Sequence, residues 1–334
     1  MNLMLYSPNF YPMVGGIESV VLHLATALHE RGQAVCVLTR TAAAEGDPRP
    51  FPVIRTTRFG PTYRAMRRAD VVVQFNVSLN GLVPALLARR PLVLTHHAVY
   101  PTTDWRNRLR WLATRRLARV NAGCSTFVAG QYPNVVVLPN PYDESVFRVM
   151  ADVARSADLV FVGRLVAEKG GDVLLRAVQT LRSRYGLQPT LTIIGDGPEK
   201  PRLERLTKQL GLTNQVRFRG IKTGSELARL LNGHRIIVVP SVYDEPFGIV
   251  ALEGIACGCY VVGANAGGLP EAIGPCGVTF PPGDADALAD ALRWALTHPA
   301  ECDARRSHAA EHLRPHARPA VAARFLRIVN QALA

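Results

Sequence analysis

DLVFVGRLVAEKGGDVLLRAVQTLRSRYGLQPTLTIIGD, residues 158–196, decides the fold. An apolar run, DLVFVGR, leads into the helix-like segment Asp172–Arg184, and a second apolar run, TLTIIGD, follows it. Two parallel strands need a crossover, and a helix of this length supplies one, so the stretch predicts a parallel βαβ unit. Downstream the pattern continues through QVRFRG, RIIVVPS and CYVVGAN, with further helix-like segments such as Glu199–Leu210. Upstream the same alternation appears in NLMLYS, AVCVLT, ADVVVQF, PLVLTHH and NVVVLPN. The stretch Ile17–Arg31 sets Val20, Val21, Leu24 and Leu28 on one stripe and turns His23, Glu30 and Arg31 to water. Alternating strands and helices over 334 residues predict an α/β protein of two doubly wound parallel sheets, divided at 1–151 and 152–334.

Composition narrows the class. With 48% hydrophobic and 19% charged residues the chain reads as a folded globular protein. The opening MNLMLYSPNFYPMVGG has no early basic cluster and no small-residue cleavage site, which predicts a first strand and a cytoplasmic protein. No stretch approaches roughly 18 apolar residues without punctuation, so membrane contact is expected to be peripheral. The six cysteines lack C-x-x-C spacing, and EGIACGCYVVG around Cys257 and Cys259 reads as a helix end, a Gly stop and a buried strand. The net charge of +13 is concentrated early: residues 1–150 hold 17 basic against 8 acidic side chains, the remainder 22 against 18. Such charge suits nucleic acid, an anionic membrane or phosphorylated ligands alike. With no helix-turn-helix, zinc or RNP pattern, nucleic acid is not expected as a partner.

Ligands of open parallel sheets bind beyond the carboxyl ends of the strands, which directs attention to Gly163, Gly195, Ser241 and Gly263. FVGRLVAEKGG presents Arg164 and Lys169 there, one able to grip phosphate oxygens in pairs and the other a point charge. TIIGDGPEK offers Gly195 and Gly197 as places where a ligand approaches the backbone; a plain strand-to-helix turn is the alternative. No Walker A loop occurs, and the third glycine of a dinucleotide fingerprint is missing. PSVYDEPFGIVALEGIACG carries Glu245 and Glu253 on either side of Phe247 and Gly248. If the whole segment were helical, eight residues would separate the carboxylates by roughly 12 Å and about 80° of rotation. Between them, the amides of Gly248, Ile249 and Val250 at a helix start suit a diphosphate. NAGGLPEAIG brings Gly267, Gly268 and Glu271 to another strand end, and LTHHAVY ends a strand at His96 and His97. Gly15 and Gly16 lie in the loop before the first helix. The single D-x-D, Asp284 to Asp286, opens an amphipathic run, so Asp284 reads as an N-cap and no metal site is expected.

Six segments in order, VGGIE (14–18), PNPYDESVF (139–147), FVGRLVAEKG (161–170), GDGP (195–198), Glu245 to Glu253 and GGLPE (267–271), resemble glycosyltransferase family 4. The resemblance spans nearly the whole chain. It implies the GT-B fold, two Rossmann-like domains facing across a cleft, with an acceptor-binding domain at 1–151 and a nucleotide-sugar-binding domain at 152–334. It further implies retaining hexosyl transfer from a nucleotide-diphosphate sugar, with no cofactor or metal and the nucleotide sugar as donor substrate. Arg164 and Lys169 would meet the diphosphate, Glu253 the ribose and Glu245 the donor sugar. His97 matches the histidine that approaches that sugar. Gly15, Gly16, Gly163, Gly195, Phe247, Gly248, Ile249, Val250 and Glu271 would complete the donor site. One departure is Asn140-Pro141 where the family has Asn-Gly, which stiffens the turn yet keeps Asn140, Asp143 and Phe147. A GT-B epimerase or phosphorylase is the alternative reading. Finally, Trp105–Arg119 holds six Arg and no acid. As a helix it would pack Trp105, Leu109, Leu112 and Val120 on the domain and turn Trp111, Arg108, Arg115 and Arg119 toward an anionic membrane, where a lipid-linked acceptor would reside.

Overall fold

The computed structural model describes residues 1–43, 49–99, 105, 107, 112 and 116–333. The chain forms two compact units, Met1–Tyr142 with Pro315–Ala334, and Asp143–Arg314. The last twenty residues, expected with the C-terminal domain, therefore group with the first unit, and the boundary falls at 142/143 where the sequence suggested 151/152.

In the first unit, β1 (Asn2–Ser7), β2 (Ala34–Thr39), β3 (Val53–Arg55), β4 (Val71–Phe75), β5 (Leu92–His96), β6 (Val120–Gly123) and β7 (Val135–Val137) form one sheet in the order β3-β2-β1-β4-β5-β6-β7, every pair parallel. Helix α1 (Gly16–Glu30) buries Val20, Val21, Leu24 and Leu28, the stripe expected of it, and leaves Glu30 and Arg31 exposed. His23 is half-buried instead of solvated. The final helix, Arg318–Leu333, packs on α1 and on this sheet through Val321, Phe325 and Ile328, which explains its membership of the first unit.

The second unit carries β8 (Ala157–Val162), β9 (Leu191–Ile194), β10 (Val216–Phe218), β11 (His234–Val239), β12 (Tyr260–Ala264) and β13 (Gly277–Phe280), again all parallel, in the order β10-β9-β8-β11-β12-β13. The α/β, doubly wound reading of both halves is what the structure shows. Strands β3, β6 and β13 were not apparent in the sequence, being three or four residues long with little apolar run. In each sheet the strand order reverses beside the first strand, between β1 and β4 and between β8 and β11, and ligands of such sheets bind at that reversal.

Backbone contacts fix the loops at the second reversal. Gly170 has φ +67, and a Cβ there would lie 1.9 Å from the Pro240 carbonyl oxygen. Close packing of the loop after β8 on the loop after β11 follows, with the Val242 amide donating to the Glu168 carbonyl at 2.9 Å. Gly195 and Gly197 act alike: a Cβ would lie 1.9 Å from the Gly163 oxygen and 2.4 Å from the Leu165 oxygen. On the Cβ side of both glycines stands neighbouring backbone, the packing of the plain strand-to-helix turn that the sequence offered beside a ligand approach. Gly186 shares the φ of +67 but has nothing within 4 Å of the place a Cβ would take. Gly186→Ala should therefore cost only the left-handed strain, about 1 kcal/mol, whereas Gly170→Ala should cost about 2 kcal/mol or more. Urea denaturation of the two variants measures the difference; equal losses would show that the contact with Pro240 carries no weight.

Candidate active site

At the β8/β11 reversal the loop after β8 turns through a short 3-10 segment, Ala167–Lys169, and delivers the Lys169 ammonium to the Glu245 carboxylate, with which it forms an ion pair. Glu245 is 5% exposed and is further held by Ser241 Oγ, donating at 2.6 Å, and by the Tyr243 hydroxyl, donating at 2.7 Å. Lys169 also donates to Tyr243 Oη at 3.1 Å and stands 5.0 Å from the centre of its ring. Burial first, and then the adjacent Glu245 charge, hold the Tyr243 phenol far above its ordinary pKa, so it remains a neutral donor. Two expected site residues thus meet each other. Sequence reasoning missed Tyr243, although its place two residues before Glu245 in a strand-end loop was the available signal.

Arg164 leaves the end of β8 exposed, with no side-chain hydrogen bond or ion pair among the described residues. It is close enough to the Tyr243 phenol to lower its pKa against the effect of burial. The helix expected near Glu245 begins at Ile249 and runs to Ala256, so Glu245 precedes it and only Glu253 lies on it. The separation derived from one continuous helix does not apply. Gly248 opens this helix in the left-handed region at φ +104, with no side chain capping the amides that follow. Phe247, expected in the donor site, is 2% exposed, so its ring packs in the core. The Gly268 amide donates to the Glu245 carbonyl at 2.7 Å, and Gly267 at φ +60 lets the two loops meet. Glu271 occupies the first turn of Leu269–Ile273. Glu253 is half-buried and its carboxyl has no hydrogen-bond or ionic partner among the described residues. Burial, and secondarily the Asp143 carboxylate, push its pKa up to about 8.

In the first unit, His97 follows β5. Its amide donates to Asn76 Oδ1 at 2.7 Å, and its ring stacks on Phe75 with centroids 5.6 Å apart. Nε2 lies 3.3 Å from Thr95 Oγ1, while Nδ1 is buried with no hydrogen-bond partner in range among the described residues, Asn140 being the nearby side chain that acts on the ring. Burial, then the neighbouring His96, bring the His97 pKa down to about 3, so the imidazole is neutral at ordinary pH. His96 is fully buried against Asn121 and Tyr132, a structural placement. Asn76, a non-glycine residue at φ +57, was missed by the sequence reading. Gly15 is extended at φ −178, and Gly16 has open space where a Cβ would stand. The Glu18 carboxylate folds back against Gly15, so only Gly16 leaves the start of α1 open.

Other expectations also find their places. Asp284 caps Ala285–Thr297, accepting from the amides of Asp286 at 3.0 Å and Ala287 at 2.9 Å. Cys257 and Cys259 are buried, and burial raises both thiols, Cys259 to about 11. Of the basic segment, Trp111, Leu109, Arg108 and Arg115 lie outside the described residues. Trp105 and Leu112, expected to pack on the domain, are exposed, and Val120 opens β6 instead of extending a helix. No helix among the described residues is long and apolar enough to cross a membrane.

Two family profiles match the sequence: "Glycosyltransferase Family 4" over residues 14–145 and "Glycosyl transferases group 1" over residues 148–312. The chain belongs to glycosyltransferase family 4. It is 29% identical to the glycogen synthase of Mycobacterium tuberculosis over an alignment covering 94% of this chain and 90% of that one. It is 44% identical to an uncharacterised glycosyltransferase of Methanocaldococcus jannaschii, but over 115 residues that make up 34% of this chain and 29% of that protein. The Anabaena HepE structure in complex with UDP-glucose superposes with a TM-score of 0.87 at 20% identity, covering 99% of each chain, a likeness that shows the GT-B fold.

A prediction follows from Glu253. Its folded pKa, about 8, lies above the ordinary 4.5, so the folded state holds the proton more tightly and stability falls as pH rises between those values. Glu253→Gln keeps the shape without the charge. It should be more stable than wild type at pH 8, by about 1 kcal/mol or more, and should lose less stability between pH 5 and 8. Denaturant midpoints across that range measure it; parallel pH profiles would place the Glu253 carboxyl in water.

Proposed function

We propose that this glycosyltransferase moves a hexosyl unit from a nucleotide-diphosphate sugar to an acceptor hydroxyl with retention of anomeric configuration. The observation that carries the reading is the meeting of Arg164, Lys169, Glu245 and an uncapped helix start at one sheet reversal in the second unit. Arg164 and Lys169 take the diphosphate, aided by the amides that open Ile249–Ala256. Glu253 accepts hydrogen bonds from vicinal ribose hydroxyls, and Glu245 faces the sugar. His97, neutral, orients a sugar hydroxyl and moves no proton of its own. The departing phosphate receives the acceptor proton on the face that the nucleotide leaves, so no carboxylate nucleophile is needed, in contrast to paired-carboxylate glycosidases. UDP-glucose is the first donor to try, since the Anabaena relative was crystallised with it. The acceptor belongs to cell-envelope polysaccharide or glycolipid synthesis, met at the inner face of the cell membrane through Trp105–Arg119.

Arg164 has no side-chain hydrogen bond or ion pair to lose among the described residues, so Arg164→Ala should keep its melting temperature while turnover drops by about 10²-fold or more. Lys169→Ala should lower turnover too, but it also leaves Glu245 buried without its cation and should cost a few kcal/mol of stability. Turnover at the wild-type rate in folded Arg164→Ala would remove the diphosphate role. Metal independence rests on Asp284 being spent on capping: activity should survive excess EDTA, and loss on chelation with recovery in Mg²⁺ or Mn²⁺ would overturn it.

A further inference from the structure

The first unit has a concavity at the other end of its sheet, where β1 and β2 begin. Its volume is about 800 Å³, within the roughly 300–1,000 Å³ typical of small-molecule pockets. Met4 pairs with Cys36 across the parallel ladder, and Ile54 pairs with Leu38, so Met4, Cys36 and Ile54 share the sheet face that the helix Phe59–Arg67 covers. With Ala65 and Ala69 they make an apolar floor and wall that continue into the buried core. The rim is of opposite character. Arg64 and Arg68 stand four residues apart, which sets both guanidinium groups on one side. Both are exposed, neither side chain has a hydrogen bond or ion pair among the described residues, and no acidic residue lines the cavity. Like charges at this spacing repel, and an anion bridging them converts that cost into two charge-assisted contacts.

We propose that this cavity binds a single-chain anionic amphiphile, its alkyl chain over Met4, Cys36 and Ile54 and its phosphate or carboxylate head between Arg64 and Arg68. Nothing in this site takes part in the transfer reaction, and its occupancy is measurable without any donor or acceptor.

Cys36 supplies the readout, because it is the one half-exposed cysteine among six and lies on the cavity floor. The test uses the full chain with dodecyl phosphate below its critical micelle concentration. Calorimetry should show saturable one-to-one binding, and maleimide labelling of Cys36, followed by mass spectrometry, should slow at least about tenfold. Shortening the chain to decyl should weaken affinity by roughly tenfold or more, the loss expected for two buried methylenes. The double variant Arg64→Ala, Arg68→Ala should weaken it by a similar factor at an unchanged melting temperature, and dodecyltrimethylammonium should leave Cys36 reactive. Three outcomes overturn the proposal: equal protection by the cationic amphiphile, affinity indifferent to chain length, or binding only to phosphatidic acid vesicles with Cys36 still open to maleimide. The chain-length series on wild type decides the question even if the double variant fails to fold.

Discussion

In a parallel sheet each strand must be reached by a crossover, and where successive crossovers go to opposite faces the loops at the strand ends part. That parting occurs beside β8 in the second unit, and the Lys169–Glu245 ion pair is fastened across it. Remove the topology and the two residues, 76 positions apart, have no reason to meet. Remove the left-handed glycine at 170 and the loop carrying Lys169 cannot lie against Pro240. The site chemistry is thus a consequence of chain reversal and backbone clearance before it is a matter of side-chain identity.

The pair is also the reason the site can be both stable and exchangeable. A carboxylate 7% exposed is costly to bury without hydrogen bonds and a counter-charge, and Ser241, Tyr243 and Lys169 supply them. Lys169 itself keeps 21% of its side chain exposed. Under the proposed function, a diphosphate arriving there would meet a cation that is already oriented, with its entropy of ordering largely spent beforehand. Arg164, exposed and with no side-chain hydrogen bond or ion pair among the described residues, has the complementary property: in the proposed reaction it would be free to move onto the diphosphate. One fixed cation and one mobile one is a sensible division for a leaving group that must be held during reaction and then let go.

Much of this was legible in the sequence, and for a physical reason. Buried parallel strands are covered on both faces, so they appear as uninterrupted apolar runs, and ADVVVQF or RIIVVPS needs no structure to be read. The strand ends then point to Arg164, Lys169 and Glu245 by simple counting. The short strands β3, β6 and β13 escaped because VIR, VNAG and GVTF lack such runs. The return of Pro315–Ala334 to the first unit escaped because helix packing partners are not encoded in local periodicity. Tyr243 and Asn76 were missed for a related reason: their roles lie in hydrogen bonds to residues placed by tertiary contact, and for Tyr243 the one local signal was its place two residues before Glu245. The two readings of Gly195 and Gly197 are instructive as well, since a glycine signals close approach without saying what approaches.

The basic excess of the first unit takes on a different meaning once placed in space. In the sequence the densest run is Trp105–Arg119, which draws attention to a single surface. In the fold, Arg58, Arg64, Arg67 and Arg68 form a second concentration along and beside the helix Phe59–Arg67, and Arg90 joins it by donating to the Arg67 carbonyl at 2.8 Å. Exposed charges act over about 8 Å at physiological ionic strength, so arginines this close in sequence and space reinforce one another while more distant ones are screened. A local field of this kind attracts anions to the place where it is strongest and leaves the rest of the surface little affected. The net charge of +13 is therefore best understood as a sum of separate local fields, and the field beside β1 and β2 borders an apolar cavity.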